Sequence, residues 1–434
     1  MSVQATGVLG MLALLVLIFA RVPVAIAMGL VGTFGYAAIS GFDRAFIVLG
    51  STPFEMGSAY ALSVVPLFVL MGALASSAGI SRQLFGAVRA VFSGRRGGPA
   101  YATLGASAAF GAVCGSSLAV AATMSRIALP EMRQAGYDDR LSAGVIAAGA
   151  SLGILIPPSL ILVIYAIIAE QSVQRLFAAA LVPSVLLTLF YGIVLAWLAH
   201  RKDNREQVMP GAGWGERVRA LLGMWEIALL FGVSIGGIYL GWFSPTESAA
   251  VGSFGAFVLG VVRRRLSWSR MHEAFVEAIL ISSMLFLVVV CAFMFSYFVV
   301  LTELPHTLVD WTRSLHASPA VIMLILILFY IILGCFLDGI GMVLITVPVF
   351  FPLVVGAGFD PVWFGVVLVL VVELGLVTPP VGMNIFVIRA QAPDIPLAVI
   401  YRGVFPFLLA PIALLLLLVA LPDIALWFPT MLYR

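Results

Sequence analysis

The stretches SLGILIPP at residues 151–158 and ELGLVTPP at residues 373–380 each run an apolar, helix-forming segment into two consecutive prolines. Proline lacks a backbone N–H and its ring crowds the carbonyl one turn upstream. A Pro-Pro pair therefore breaks a helix and leaves carbonyls near residues 153–156 and 375–378 without partners. The two stretches lie 222 residues apart, and at that offset Pro23 also falls on Pro245, Pro130 on Pro352, and AGYD at 135–138 on AGFD at 357–360. Chance would align fewer than one proline pair at a given offset. The chain is an internal repeat, and its fold follows from reading one half against the other.

The solvent of that fold is set by composition. Of 434 residues, 62% are hydrophobic and 10% charged, whereas soluble domains carry roughly 25% charged residues. This excludes a soluble enzyme and fits a polytopic helical membrane protein, in which each span needs about 20 mostly apolar residues. A net charge of +3, thinly spread, excludes nucleic-acid binding. Cys114, Cys291 and Cys335 sit in apolar runs without CxxC spacing, so neither a disulfide framework nor a zinc site is expected. The first 20 residues lack a basic start and read as a retained span. No extramembrane stretch is long enough for a soluble domain.

Charge placement decides how the halves are related. Residues 41–58 carry Asp43, Arg44 and Glu55, but their counterparts in the second half carry Arg263, Arg264, Arg265 and Arg270 against Glu273. One span later the bias swaps: residues 81–98 hold Arg82, Arg89, Arg95 and Arg96 with no acid, and residues 302–318 hold Glu303, Asp310 and Arg313. Positive loops stay inside, so equivalent loops face opposite sides and the repeats are inverted. The expected organisation is a first repeat over 1–200, a basic cytoplasmic linker over 201–223 and a second repeat over 224–434, with both termini periplasmic. Each repeat has five spans: 7–20, 22–39, 60–78, 141–169 and 177–199, then 224–241, 245–262, 274–301, 362–390 and 401–421.

Between the third and fourth span of each half, residues 99–130 and 319–352 are apolar but broken near the middle by Gly115-Ser116-Ser117 and Asp338-Gly339-Ile340-Gly341. One straight helix of that length overshoots the hydrocarbon, about 30 Å thick. A re-entrant hairpin fits both the length and the charge pattern.

Broken spans at matching positions of two halves point to a midplane binding site. One Pro-Pro pair alone would read as a packing kink; two in register favour the site. Gly115, Gly339 and Gly341 let backbone approach closely. Ser116, Ser117 and Asp338 offer oxygens, and Ser159, Thr378 and Asn384 flank the breaks. With the freed carbonyls these make an all-oxygen nest for a hard monovalent cation, while helix N-termini at the tips offer N–H groups to a carboxylate. Serines in membrane helices also merely pack, and Asp338 alternatively serves as a helix cap. Glu373, standing where the first half has Ser151, reads equally as a site neighbour or an interhelical hydrogen bond. Glu247 reads as an N-terminal cap and Arg126 as a snorkelling side chain. His272, His306 and His316 fall in connections and His200 at a span end, so no histidine proton relay is expected. Neither Walker A, HExxH nor GxSxG occurs, so this chain does not itself use ATP.

Residues 111–160 (GAVCGSSLAVAATMSRIALPEMRQAGYDDRLSAGVIAAGASLGILIPPSL), residues 333–384 (LGCFLDGIGMVLITVPVFFPLVVGAGFDPVWFGVVLVLVVELGLVTPPVGMN) and residues 236–252 (GGIYLGWFSPTESAAVG) resemble the large membrane subunit of tripartite ATP-independent periplasmic (TRAP) transporters. The resemblance covers essentially the whole chain. It implies a sodium-coupled, elevator-type secondary transporter of organic acids in a bacterial cytoplasmic membrane, with scaffold helices and a moving transport unit of hairpins and broken spans. It implies two partners, a small four-span membrane subunit and a periplasmic solute-binding protein, and no cofactor beyond the coupling ion. By that likeness one sodium site uses Gly115, Ser116, Ser117, Gly153, Pro157 and Ser159. The other uses Asp338, Gly339, Gly375, Thr378, Pro379 and Asn384, and substrate meets Ser116, Asp338 and Asn384 between the tips. The competing readings are a stand-alone sodium–dicarboxylate or citrate carrier and a non-transporting membrane scaffold.

Overall fold

A computed structural model describes residues 2–199, 211–314 and 318–433. His200, His316 and linker residues 201–210 lie outside them. Every regular element among the described residues is helical. The first half runs α1 (Val3–Phe19), α2 (Val24–Ser40), α3 (Phe42–Ser58), α4 (Val64–Ser77), α5 (Ile80–Phe92), α6 (Gly98–Cys114), α7 (Ser117–Gln134), α8 (Asp139–Leu155), α9 (Leu160–Ile168) and α10 (Val173–Ala199). After α11 (Trp214–Leu222) the second half runs α12 (Trp225–Tyr239), α13 (Pro245–Val262), α14 (Trp268–Leu301), α15 (Leu304–Ser314), α16 (Pro319–Gly334), α17 (Gly339–Gly356), α18 (Pro361–Val377), α19 (Met383–Gln391), α20 (Leu397–Val404), α21 (Leu409–Ala420) and α22 (Asp423–Leu432). Shifted by 222, the bounds of α7 and α8 coincide with those of α17 and α18 to the residue, and Asp138 and Asp360 cap the start of α8 and α18 alike.

Several expected boundaries differ. Residues 41–58, expected as a connection, form α3, an amphipathic helix whose Phe42, Phe46, Ile47 and Phe54 are exposed. Its counterpart belongs to α14, a continuous helix of 34 residues. The difference is compositional. Residues 268–301 contain neither proline nor glycine, whereas Pro53 and Gly57 precede a 3-10 turn at Tyr60–Ser63 that separates α3 from α4. His272 and His306 accordingly lie in helices, not connections. The hairpins extend past Pro130 and Pro352, which sit inside α7 and α17. The last expected span divides into α20 and α21 at a 3-10 turn containing Pro406, and α22 follows it. Seven helices among the described residues are long and apolar enough to cross a membrane, or eight with the bent pair α11–α12. That is fewer than the ten expected spans, because α1, α2 and α18 at 17 residues each stand at the lower limit of spanning length, and one of the seven is the hairpin arm α17.

The halves interleave. α2 packs on α14 and α13 on α4, with backbone nearly touching where Gly32 faces Met294 and Phe295. Around this frame, α8 and α18 form the centre of the molecule: all residues from Leu141 to Leu155 and from Val362 to Val377 are buried. Outer helices instead expose large apolar side chains, and every tryptophan except Trp363 is exposed, as in the aromatic belts of membrane proteins. Glu247 closes a capping box with Ser244 at the start of α13, so the expected cap is found.

Candidate cation and anion site at the hairpin tips

The two broken spans position the site. In the first, α8 ends at Leu155, Pro157–Pro158 is cis, and Ser159 starts α9 by accepting a hydrogen bond from the Leu162 N–H at 3.3 Å. The tip between α6 and α7 turns at Gly115, with φ +63°, and Ser116 caps α7 by accepting from the Ala119 N–H at 3.4 Å. A Cβ on Gly115 would stand 2.6 Å from the Pro158 carbonyl oxygen, so only glycine lets the tip rest on the break. One turn away, Gly111 and Gly153 bring α6 and α8 so close that a Cβ on either would meet the other's Cα at 2.5 or 3.4 Å. The Ser116 carbonyl faces the same gap, 3.3 Å from where a Gly153 Cβ would stand. Ser117 is buried as the first residue of α7.

The second half repeats the plan with different chemistry. Asp338 caps α17 through Oδ2, which accepts from the Gly341 N–H at 3.0 Å. Gly334 and Gly375 make the close helix approach, 2.6–3.0 Å from a Cβ on either to the other's Cα. The Cys335 thiol donates to the Pro379 carbonyl at 3.2 Å, joining tip to break. Thr378 ends α18 and donates its hydroxyl back to the Leu374 carbonyl, while Gly382, with φ +62°, starts α19. The carbonyls of Leu376 and Thr378 converge on the space that a Gly382 Cβ would fill, at 3.5 and 3.3 Å. Those of Pro380 and Val381 are held by the Tyr401 hydroxyl at 2.8 and 2.7 Å.

Gly115, Ser116 and Gly153 thus lie together beside the break before Ser159. In the second half the tip meets the break through Gly334 at Gly375, Cys335 at Pro379 and Gly339 at Val372 and Leu376, with Asp338 turned to the start of α17. Ser116, Ser159 and Asp338 are all helix caps, which aims their oxygens at the ends of α7, α9 and α17. Asn384 is different: it is fully buried and donates Nδ2–H to Glu373 Oε1 at 3.0 Å. Leu376, Gly382 and Tyr401 were not expected from the sequence. The glycine two residues after Pro380 was the available signal for the first two; nothing local marks Tyr401. The halves also exchange partners, α9 packing on α17 and α19 on α7, with Ile161 against Gly339.

The two breaks differ in access. Pro157 and Pro158 are buried, whereas Pro379 and Pro380 are exposed. The donor set suits an oxygen-liganded cation: backbone carbonyls, hydroxyls and one carboxylate, with no group of three or more His, Cys, Asp or Glu among the described residues. Glycine gaps lined by inward carbonyls fit an ion of that class. The N-termini of α7 and α17 provide N–H groups toward an anion. A cavity of about 450 Å³ at the far end of hairpin one is lined by Arg89 and Arg95, but Arg89 there is paired with Glu131.

A family model described as "Tripartite ATP-independent periplasmic transporter, DctM component" matches residues 11–424. The C4-dicarboxylate TRAP transporter large permease protein DctM of Pseudomonas aeruginosa is 34% identical over 87% of this chain and 88% of its own length. The sialic acid TRAP transporter large permease protein SiaM of Vibrio cholerae is 33% identical over 85% and 86%. The 2,3-diketo-L-gulonate TRAP transporter large permease protein YiaN of Escherichia coli is 29% identical over 87% and 88%. In fold the chain is similar to the YdaH transporter of Alcanivorax borkumensis, with a TM-score of 0.64 at 15% identity over 90% of each chain.

Proposed function

The chain belongs to the DctM-component family of tripartite ATP-independent periplasmic transporters, and on that premise we propose that it drives sodium-coupled uptake of a small organic acid by an elevator movement. It is a multi-pass membrane protein and a transporter subunit, not an enzyme. The observation that carries the proposal is the pairing of each hairpin tip with a Pro-Pro break. In both halves a glycine gap brings the tip onto the break, a polar residue caps the helix that leaves the tip, and backbone carbonyls of the break lie close by, donors of the kind an alkali cation takes.

In the first half the cation would be held by the Ser116 and Pro158 carbonyls and the Ser116 and Ser159 hydroxyls, with Gly115, Ser117, Gly153 and Pro157 shaping the gap. In the second it would be held by the Leu376 and Thr378 carbonyls with Asp338 and Asn384, and Gly339, Gly375 and Pro379 shape the gap. Substrate would sit between the tips, its carboxylate toward Ser116 and the N-termini of α7 and α17. Burial of Asn384 against Glu373 favours a role beside the cation over contact with substrate. The relatives' named solutes are dicarboxylate, sialic acid and a diketo sugar acid, all carboxylates, which supports an organic-acid substrate. Because α8, α9, α18 and α19 carry both breaks and pack against both hairpins, they would move as one body against the frame of α2, α4, α13 and α14. The inverted charge pattern supports a periplasmic position for both termini in a bacterial inner membrane. A small membrane subunit and a solute-binding protein would complete the system.

Reconstitution tests this directly. Proteoliposomes holding this chain and its small subunit should accumulate organic acid only with the binding protein outside and an inward sodium gradient. Uptake that persists after the sodium gradient is collapsed, or that needs no binding protein, would overturn the reading.

A further inference from the structure

At the hairpin tip and in the helix before the Pro-Pro break, the second half carries an acid where the first has serine: Asp338 for Ser116 and Glu373 for Ser151. Asp338 does what Ser116 does, capping its helix. Glu373 has no such duty. Ser151 is satisfied, joined to the Tyr191 hydroxyl at 2.6 Å and donating to the Ala148 carbonyl at 2.7 Å. Glu373 is 1% exposed, and its single hydrogen bond comes from Asn384 Nδ2 to Oε1. Two atoms of this pair, Glu373 Oε2 and Asn384 Oδ1, are buried without a partner.

Both orphans are oxygens, both are acceptors, and their side chains are already tied together across the α18–α19 break. A buried carboxylate left this way is costly unless a positive charge compensates it. Asn384 cannot supply one, and its own bare oxygen adds to the demand. Two arrangements satisfy both oxygens: a proton on Oε2 donated to Oδ1, or a single positive centre taking both, and only the second keeps the carboxylate charged.

We propose that Glu373 Oε2 and Asn384 Oδ1 bind a monovalent cation, which adds Glu373 to Asp338 as an anionic ligand of the second half. The inference rests on the cation sites proposed above and goes beyond them in assigning Glu373 a direct role. The first half then carries a neutral site and the second a negatively charged one, so the second fills first as sodium rises. Because Glu373 lies on α18 and Asn384 on α19, the cation also closes the break from inside.

The test is sodium binding by the purified complex of this chain with its small subunit. It is read as sodium-dependent thermal stabilisation against choline at equal ionic strength, and as binding of radioactive sodium. Glu373→Gln keeps the shape and the bond to Asn384 but removes the charge. It should raise the sodium concentration for half-stabilisation about tenfold or more and lower the number of ions bound, while Ser151→Ala leaves both near wild type. Glu373→Gln matching wild type would overturn the proposal, since the carboxyl would then be neutral and hydrogen-bonded to the amide. If that variant does not accumulate in membranes, Asn384→Ser removes Oδ1 and should show the same shift; an unshifted curve would overturn the proposal equally. Wild type without any sodium-specific stabilisation would instead remove the underlying cation-site reading.

Discussion

Adding one methyl group at Gly111 probes whether the glycine gap, and not merely a small residue, is required. The new Cβ would stand 2.5 Å from Gly153 Cα and 3.1 Å from its nitrogen, while carbon atoms settle at about 3.5–4.0 Å. α6 and α8 must then part by about 1 Å, because the obstacle is backbone and cannot rotate away. Overpacking of this kind costs about 1–3 kcal/mol, which a molecule of this size survives. The site should not survive as well: Gly115 is one turn along α6, and ligand distances in metal sites hold to about 0.2 Å. Gly111→Ala should therefore fold, unfold a few degrees lower, and require about tenfold more sodium for half-maximal uptake in proteoliposomes. Gly375→Ala, with its Cβ 2.6 Å from Gly334 Cα and 2.8 Å from the carbonyl carbon, should do the same from the other half. Gly86→Ala on α5, with nothing within 4 Å, serves as the control and should be neutral or gain up to about 1 kcal/mol from helix propensity. If Gly111→Ala transports with the wild-type sodium curve, the close approach is packing only and the argument fails.

Capping and ion binding separate at Asp338. Asp338→Asn retains a good cap and should keep thermal stability while weakening sodium dependence, whereas Ser116→Ala should also lose about 1 kcal/mol of cap; equal sodium curves for both and wild type would count against both sites. Glu226, 3% exposed and bound to Arg263 and Arg265 at 2.7 and 3.0 Å, joins α12 to the end of α13. Because both arginines are partly exposed, Glu226→Gln should cost about 2 kcal/mol, below the full figure for a buried pair, seen as a lower Tm with unchanged sodium dependence. Single cysteines at Arg95 and Arg264 should react with impermeant reagent only from the cytoplasm, and those at Asp43 and His306 only from outside; a reversed member of either pair breaks the inversion.

The features legible in advance share one physical property: they are local. Pro-Pro ends α8 and α18 whatever surrounds them, since the missing N–H and the ring clash belong to the residue itself. Asp138 and Asp360, matched by the repeat but not read as caps, cap their helices for a similarly local reason. Less legible were elements whose form depends on length and flanking residues. α3 looks like a connection because its apolar face alternates with Asp43, Arg44 and Glu55, and only its periodicity marks a surface helix. Pro130 and Pro352 looked like hairpin ends because proline in isolation disfavours helix, but neighbouring helices in a membrane bundle accommodate it.

From the sequence alone came the membrane environment, the repeat and the places where the backbone breaks, because composition, period and proline chemistry need no partner. Tertiary structure alone decided which half each tip meets. The exchange of α9 onto α17 and α19 onto α7 joins residues more than 150 positions apart, and no local preference encodes that. It also decided what the oxygens do. Asp338 faces its own helix start, Asn384 turns to Glu373, and the carbonyls of Leu376 and Thr378 converge only because Gly382 leaves them room. Whether a polar atom is satisfied depends on its neighbours in space, and for Glu373 those neighbours leave one oxygen bare.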